Sequence, residues 1–597
     1  DDATARRMRD ALAHRGPDDA GLLRTDRAIL AHTRLAVLDP SEAGHQPMIL
    51  DDPPGTPRFI LSYNGEIYNE PEIRRRLLAE GARLHTHCDS ETVLHALARW
   101  GPAALDRFEG MYALAFCDAR EQTLLLARDP LGIKPLHLWR ATVHSHDTII
   151  AASEIPAILA CPFVERAIDP IALEAYLITI RTNLADRTLY KGIRTLQPGE
   201  RLHIDCSGQR LRITSTVQSL DQTERDLPTA DLRERVESIV AAHMRSDVPL
   251  CCLLSGGLDS SIIASIAARH SDILHTWCAG ALADEPSPDL PVARRVAEAL
   301  SSEHHEVTIA PEQFLARWPE LIARTASPLS TPNEIAIHEL AWAIRDAGFV
   351  VCLSGEGADE LFAGYTAALH RCATDPDCTT DLASFMLDTF SWMPRSARNA
   401  ILNDPHPDAP DAILDAARAI ADACADPSRN DPLLPPLRYL RHLNLPSLLR
   451  RLDSMTMLAS IESRTPLCSP ELARIADALP TRRRFTPASP GKIALREAFA
   501  DTLPKEVIDR PKASFPLPFQ KWIEPIARTL PESPSARALF TPAAIATVAQ
   551  QPAQLWQLAW PMCNIALWAD QCLSLEPAPT CRSEPALPAP APSAHPS

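Results

Sequence analysis

A chain of 597 residues and 65.4 kDa exceeds what one hydrophobic core organises, so two or more domains are expected. With 46% hydrophobic and 23% charged residues, the balance is that of a folded soluble protein and excludes a fibrous or wholly disordered one. The net charge of −17 argues against a general nucleic-acid or anionic-membrane binder, and no apolar run is long enough to predict a membrane span.

Residues 1–205 are rich in short alternating runs: Phe59 to Tyr63, Met111 to Phe116, Thr123 to Ala127 and Thr148 to Ala152. Pairs such as Asn64-Gly65 and Asp129-Pro130 read as turns between them, and the period of two indicates antiparallel strands. Helical spacing over 70–80 and 90–100 completes an α+β domain. Residues 206–230 are polar and mixed, and read as a linker. From Pro249 to Leu254 a continuous apolar run opens a different rhythm, in which buried strands (273–280, 304–310, 349–354) alternate with helices. That is the signature of a parallel sheet covered on both faces, an α/β domain over 231–575 with a mostly helical extension from 380 to 570. The Pro/Ala-rich tail 576–597 is expected to be disordered. The fifteen cysteines are odd in number and lack any CxxC pair, which favours buried reduced thiols and a cytoplasmic location.

Two glycine-rich turns carry the chemistry. LLSGGLDSSII (253–263) is a strand, a turn of small residues and a helix start, whose amides and hydroxyls suit a pyrophosphate, although a Walker A lysine is absent. Asp259 beside such a loop makes sense if Mg2+ bridges the phosphates. SGEGADELFAGY (354–365) repeats the theme with Glu356, Asp359 and Glu360. Each turn alone could be a capped or acidic helix start; two at the same carboxyl edge of one parallel sheet form a ligand site.

These motifs, together with SPDL (287–290), HHEV (304–307) and GKIALREAF (491–499), resemble the glutamine-dependent asparagine synthetases of the ATP-pyrophosphatase superfamily. In the first half LAHRGPDDAG (12–21), HTRLAVLD (32–39), YNGEIYN (63–69) and ARDPLGIKPL (127–136) resemble that family's glutaminase domain. The resemblance implies an N-terminal Ntn-hydrolase-like (αββα) domain and an ATP-pyrophosphatase domain. It also implies ATP-dependent amidation of aspartate through a β-aspartyl-AMP intermediate, with glutamine or ammonia as nitrogen donor, and suggests a homodimer. By the same resemblance Leu253, Ser255, Gly256, Gly257, Asp259, Ser260, Ala279, Ser354 and Gly355 would hold ATP, Asp259 and Asp359 would bind Mg2+, and Glu356 and Lys492 would be catalytic. Arg34, Leu35, Ala36, Val37, Leu38, Asn64, Gly65, Glu66 and Asp89 would form the glutamine pocket, with Arg34 on the α-carboxylate, Asp89 on the α-ammonium, and Asn64 with the Gly65 amide as oxyanion hole. Asp453, Glu462 and Arg464 read equally well as a salt-bridged helix pair or as substrate contacts.

The family's glutaminase uses an N-terminal cysteine, whereas residue 1 here is Asp and the first cysteine is Cys88. The expectation is either a sequence that starts short of that cysteine or loss of the nucleophile, as in β-lactam synthetases. Smaller departures, PLC at 466–468, Ser514 and Ala363, bear on the acceptor pocket. Amidation or lactam closure of another carboxylate, and a non-catalytic nucleotide-binding protein, are the competing readings.

Overall fold

The computed structural model describes residues 1–282, 289–375, 377–512 and 517–573. The expected disordered tail, Ser287, Pro288 and Ser514 lie outside the described residues.

The first half builds two antiparallel sheets and a hairpin. The hairpin pairs β1 (Asp19–Arg24) with β2 (Ile29–Arg34). Strands β3 (Met48–Asp51), β4 (Pro57–Ile67), β5 (Gly110–Asp118) and β6 (Thr123–Arg128) lie in one sheet. A second sheet contains β7 (His137–Val143), β8 (His146–Ala152), β9 (Asn183–Leu184), β10 (Arg187–Thr188) and β11 (Ile193–Thr195). The chain then returns to the first sheet with β12 (Glu200–Asp205) and β13 (Arg212–Val217), giving the order β13-β12-β6-β5-β4-β3.

Alternation decides the layering. Neighbours in β5 point to opposite faces: Ala113 packs with Leu126, Leu202, Leu138 and Leu196 between the two sheets, while Leu114 joins Leu61, Tyr63, Ile73, Leu77, Val93 and Leu97 under helices 70–79 and 89–100. Helices 155–159 and 170–179 cover the far face of the second sheet around Trp139 and Ala141. The result is helix, sheet, sheet, helix, the αββα arrangement expected.

Two expectations are corrected here. Asn64-Gly65 is not a turn: both residues lie inside the eleven-residue strand β4, opposite Ala113 and Tyr112 of β5. Glycine is needed because a Cβ at Gly65 would sit 2.2 Å from the Met111 carbonyl oxygen. Nor is all of 206–230 a connector, because the alternation Ile213, Ser215, Val217 lets β13 pair with β12 over six residues.

The second half holds one parallel sheet of β14 (Leu250–Leu253), β15 (His275–Ala281), β16 (Glu303–Ile309), β17 (Val351–Leu353) and β18 (Glu462–Arg464), ordered β16-β15-β14-β17-β18. Adjacent cysteines report both faces. Cys252 packs with helices 229–243, 258–267 and 289–299; Cys251 packs with Leu340, Ala341 and Ile344 of helix 333–346. All cysteines among the described residues are buried and free, as expected. The helical extension ends in helix 556–572, fastened by a 4.4 Å Trp318–Trp560 stack and by the Trp318 indole N–H donating to Asn564 Oδ1 at 3.0 Å. No helix among the described residues is long and apolar enough to cross a membrane.

The strand β18 corrects the helix-pair reading of Asp453, Glu462 and Arg464. Only Asp453 is helical, in 445–457; Glu462 and Arg464 begin and end a strand. A charged three-residue strand is stable there because the Arg464 guanidinium, fully buried, bonds Glu462 (2.8 Å), Glu66 (3.3 Å) and the carbonyls of His243 and Arg245.

Candidate active site

Strand order places the switch of direction between β14 and β17: the chain goes from β14 outward to β15 and β16, then returns to β17 on the other side. The two glycine-rich turns follow β14 and β17, so they meet in the crevice at the carboxyl ends of adjacent strands. Their contact is direct. A Cβ on Gly355 would lie 2.9 Å from the Ser260 amide nitrogen and 3.1 Å from Asp259 Cβ. Gly357, at φ +94°, has no room either, since a Cβ would fall 1.7 Å from Cys468 Sγ. The Cys468 thiol donates to the Glu356 carbonyl at 3.4 Å, which is how the altered PLC segment underlies the second turn.

A cavity of about 350 Å³ opens between the turns. Leu253, Trp277, Ala279, Ala336 and Leu340 give it an apolar wall, and Asp259, Glu356, Asp359, Lys492, Arg510 and Lys512 give it a charged one. The anticipated Ser255, Gly257, Ser260, Ser354 and Gly355 also line it. Gly256 does not: at φ +69° it packs against Val292 and Ala293, and its carbonyl accepts from Arg510 at 3.2 Å.

Lys492 stands at the centre of the charged wall. Its ammonium lies 2.5 Å from both Asp259 Oδ2 and Asp359 Oδ1, and Lys512 bonds the other oxygen of Asp359. Burial works against charge on Asp359, but the Lys492 and Lys512 ammoniums outweigh it and hold the carboxyl down at about 2. Burial likewise opposes the Lys492 ammonium, and the two aspartates outweigh it and raise its pKa. Lys492 itself adopts φ +53°, a left-handed conformation of order 1 kcal/mol in cost that the surroundings impose. The neighbouring Gly491 passes so close to the Ala363 carbonyl that a Cβ would sit 2.3 Å from it. Ala363, where the resembled motif carries glycine, is itself left-handed at φ +67°.

Glu356 sits on the rim, 3.0 Å from the Arg451 guanidinium, which also reaches Thr331 Oγ1 at 3.0 Å. Behind it Glu360 is buried and accepts from Tyr365 OH (2.5 Å) and Asn444 Nδ2 (3.0 Å); burial, then the Asp359 charge, pushes its carboxyl up to about 7. Sequence reasoning missed Arg451, Arg510 and Lys512 as cavity residues. For Arg510 and Lys512 the only signal was the Arg-Pro-Lys run at 510–512, whose residue types announce no role by themselves.

The first half gathers a second constellation along β4. Among the described residues Asn64 Nδ2 is buried without a hydrogen-bond partner, a donor beside the Gly65 backbone. Asp89 accepts from Tyr63 OH (2.9 Å) and the Ile67 amide (3.2 Å), and burial pushes it up to about 6 despite those bonds. Glu66 is pushed well above the carboxylate range by burial and the Asp89 charge, and its Oε2 pairs with Arg464. Arg34 is engaged by the carbonyls of Ser41 (2.8 Å), Leu38 (3.2 Å) and Asp39 (2.5 Å), so it shapes the loop that carries Leu35, Ala36, Val37 and Leu38. That loop is tied to the second half by the Asp247 amide donating to the Val37 carbonyl (3.1 Å) and the Asp39 amide donating to Asp247 Oδ2 (2.8 Å). The Cys88 thiol, buried beside Asp89, is pushed up to about 12 by burial, which disfavours the thiolate at neutral pH.

Comparison with known proteins assigns each half to a family. Residues 231–570 match the asparagine synthase family and residues 1–214 match a glutamine amidotransferase domain. Asparagine synthetase (glutamine-hydrolyzing) 3 of Bacillus subtilis (strain 168) is 30% identical over 540 residues, 86% of this chain and 84% of its own length. Asparagine synthetase (glutamine-hydrolyzing) 1 of the same organism is 28% identical over 552 residues, 87% and 84% respectively. The B. subtilis glutamine phosphoribosylpyrophosphate amidotransferase structure overlaps 59% of this chain and 78% of that one at 14% identity with a TM-score of 0.28, too low to carry an argument. The chain therefore belongs to the asparagine synthase family: an asparagine synthetase (glutamine-hydrolysing)-like enzyme with an amidotransferase domain ahead of an ATP-using ligase domain.

Proposed function

We propose that the enzyme amidates the side-chain carboxylate of aspartate. That carboxylate attacks the α-phosphorus of ATP and expels pyrophosphate, giving β-aspartyl-AMP. Ammonia, free or released from glutamine, then attacks the activated carbonyl; AMP leaves with the carboxylate oxygen and the nitrogen loses a proton. Adenylation is needed because a carboxylate is a poor acyl donor. Such chemistry depends on positioning and on charge neutralisation.

The observation that carries this reading is the contact of two phosphate-type turns over one cavity, half apolar and half charged. The apolar wall of Leu253, Trp277 and Ala279 suits a purine, while Ser255, Gly257 and Ser260 suit its phosphates. Lys492, Lys512 and Arg510 would neutralise charge on the leaving pyrophosphate. Among the described residues Asp259 Oδ1 is buried without a hydrogen-bond partner, and with Asp359 it supplies the oxygen donors that suit Mg2+. Once bound, that ion would offset the negative charge of the phosphates. Glu356 on the rim would take the proton released as ammonia adds, with Arg451 orienting it. In the first half, Asn64 Nδ2 and the Gly65 amide would hold the oxyanion of a cleaved glutamine amide, Asp89 its α-ammonium, and the remaining donors of Arg34 its α-carboxylate.

With ammonium as nitrogen source, aspartate and ATP should yield AMP and pyrophosphate. Glu356→Gln should lower AMP release by about 100-fold or more without shifting the thermal unfolding transition. Absence of AMP with every acid tried would leave a nucleotide-binding protein, and near-normal turnover in the variant would remove Glu356 from the reaction.

A further inference from the structure

Where β15 and β16 begin, three side chains converge that no step above uses. His275 opens β15, Glu303 opens β16, and His305 lies two residues further along β16, beside Trp277 in register. Their ligating atoms all fall within 4.8 Å of one another. His275 Nδ1 is 3.2 Å from His305 Nε2 and 3.5 Å from a Glu303 carboxylate oxygen. Ligands around a tetrahedral zinc-sized ion, at bond lengths of about 2.0–2.2 Å, stand about 3.3–3.6 Å apart. We propose that His275, Glu303 and His305 bind one divalent transition-metal ion of the zinc class, with a fourth position open to water.

The donors are pre-arranged. The His305 ring stacks on Trp277 (centroids 4.3 Å, 20°) and the His275 ring rests on Phe349 (4.9 Å), so both imidazoles are oriented by aromatic neighbours before any ion arrives. The alternative use of the same contact is a single N–H···N hydrogen bond, which leaves the carboxylate idle. Two imidazoles and one carboxylate select Zn2+, Cu2+ or Ni2+ over Mg2+ and Ca2+, which separates this site chemically from the oxygen-rich nucleotide cavity. The two are nevertheless linked: Trp277, against which His305 lies, also forms part of the cavity wall.

The test uses the full chain titrated with Zn2+ by calorimetry and with Co2+ by visible absorption. One equivalent of Zn2+ is expected at this site, with a Co2+ spectrum of four-coordinate type. His275→Gln and, separately, Glu303→Gln should each weaken that equivalent by about tenfold or more and diminish the Co2+ band. Glu303 is exposed, so its variant leaves the fold intact. No zinc uptake by the unaltered chain, or the same affinity and Co2+ spectrum in both variants, would overturn the proposal and leave the hydrogen bond as the whole role of the pair.

Discussion

Glu360 shows how a single buried side chain near the ligase cavity sets a measurable property. Its carboxyl is pushed to about 7 by burial and by the Asp359 charge, against about 4.5 in the unfolded chain. Between those values the folded state holds the proton that the unfolded state has released. Stability from this group is therefore full below pH 4.5 and declines as pH rises through 7. Glu360→Gln keeps an oxygen to accept from Tyr365 and Asn444 but cannot ionise. The variant should flatten the fall in stability between pH 4.5 and 7, read from urea midpoints; an unchanged slope would contradict the assignment. At this scale the sequence was legible where glycines and carboxylates cluster in a turn, and Asp259, Glu356, Asp359 and Lys492 do line one cavity. It was not legible for Arg34, whose three carbonyl partners come from a loop that folds back on it. Nor was it for Arg451, a helical arginine among others, whose role appears only when Glu356 is brought to it across 95 residues.

Among elements, the long strands and amphipathic helices could be read from periodicity, because Phe59 to Tyr63 and Met111 to Phe116 alternate cleanly between two buried faces. The failures have a common cause, tertiary contacts that override local preference. Asn64-Gly65 favours a turn in isolation, yet the close approach of β5 requires a residue without Cβ in mid-strand. Strand β18 has too few residues and too much charge to announce itself, and exists because Arg464 finds Glu66, Glu462 and two carbonyls. Gly65→Ala follows from the first case. A methyl 2.2 Å from the Met111 oxygen must force β4 and β5 apart, at a cost of about 1–3 kcal/mol or more. Denaturant unfolding should show the loss, and amide exchange should rise in β4 and β5; equal stability would mean the strands part without strain.

Across the whole molecule, the two halves are joined by buried charge. Asp453 of the ligase half receives Lys134 at 3.2 Å and Arg15 at 2.9 Å from the amidotransferase half, all three nearly inaccessible. Arg15 also holds Glu154 at 2.8 Å, and Arg464 crosses the same boundary to Glu66 on the strand that carries Asn64. Removing one member strands the others in a medium that cannot solvate them. Asp453→Asn should cost about 3–5 kcal/mol and lower the unfolding temperature of both halves together. Loss confined to one half would show that this contact does not couple them. The network joins β4 to the sheet beneath the ligase cavity, since Arg464 ends the strand next to β17.

Acyl activation at the junction of the two turns is reported by the fate of oxygen, without assumption about residues. Aspartate labelled with 18O in its side-chain carboxylate is incubated with ATP and ammonium, and the nucleotide product is analysed by mass spectrometry. Adenylation followed by amide formation predicts one labelled oxygen in the phosphate of AMP and none in pyrophosphate. Unlabelled AMP, or label in inorganic phosphate with ADP as the nucleotide product, would contradict the central claim.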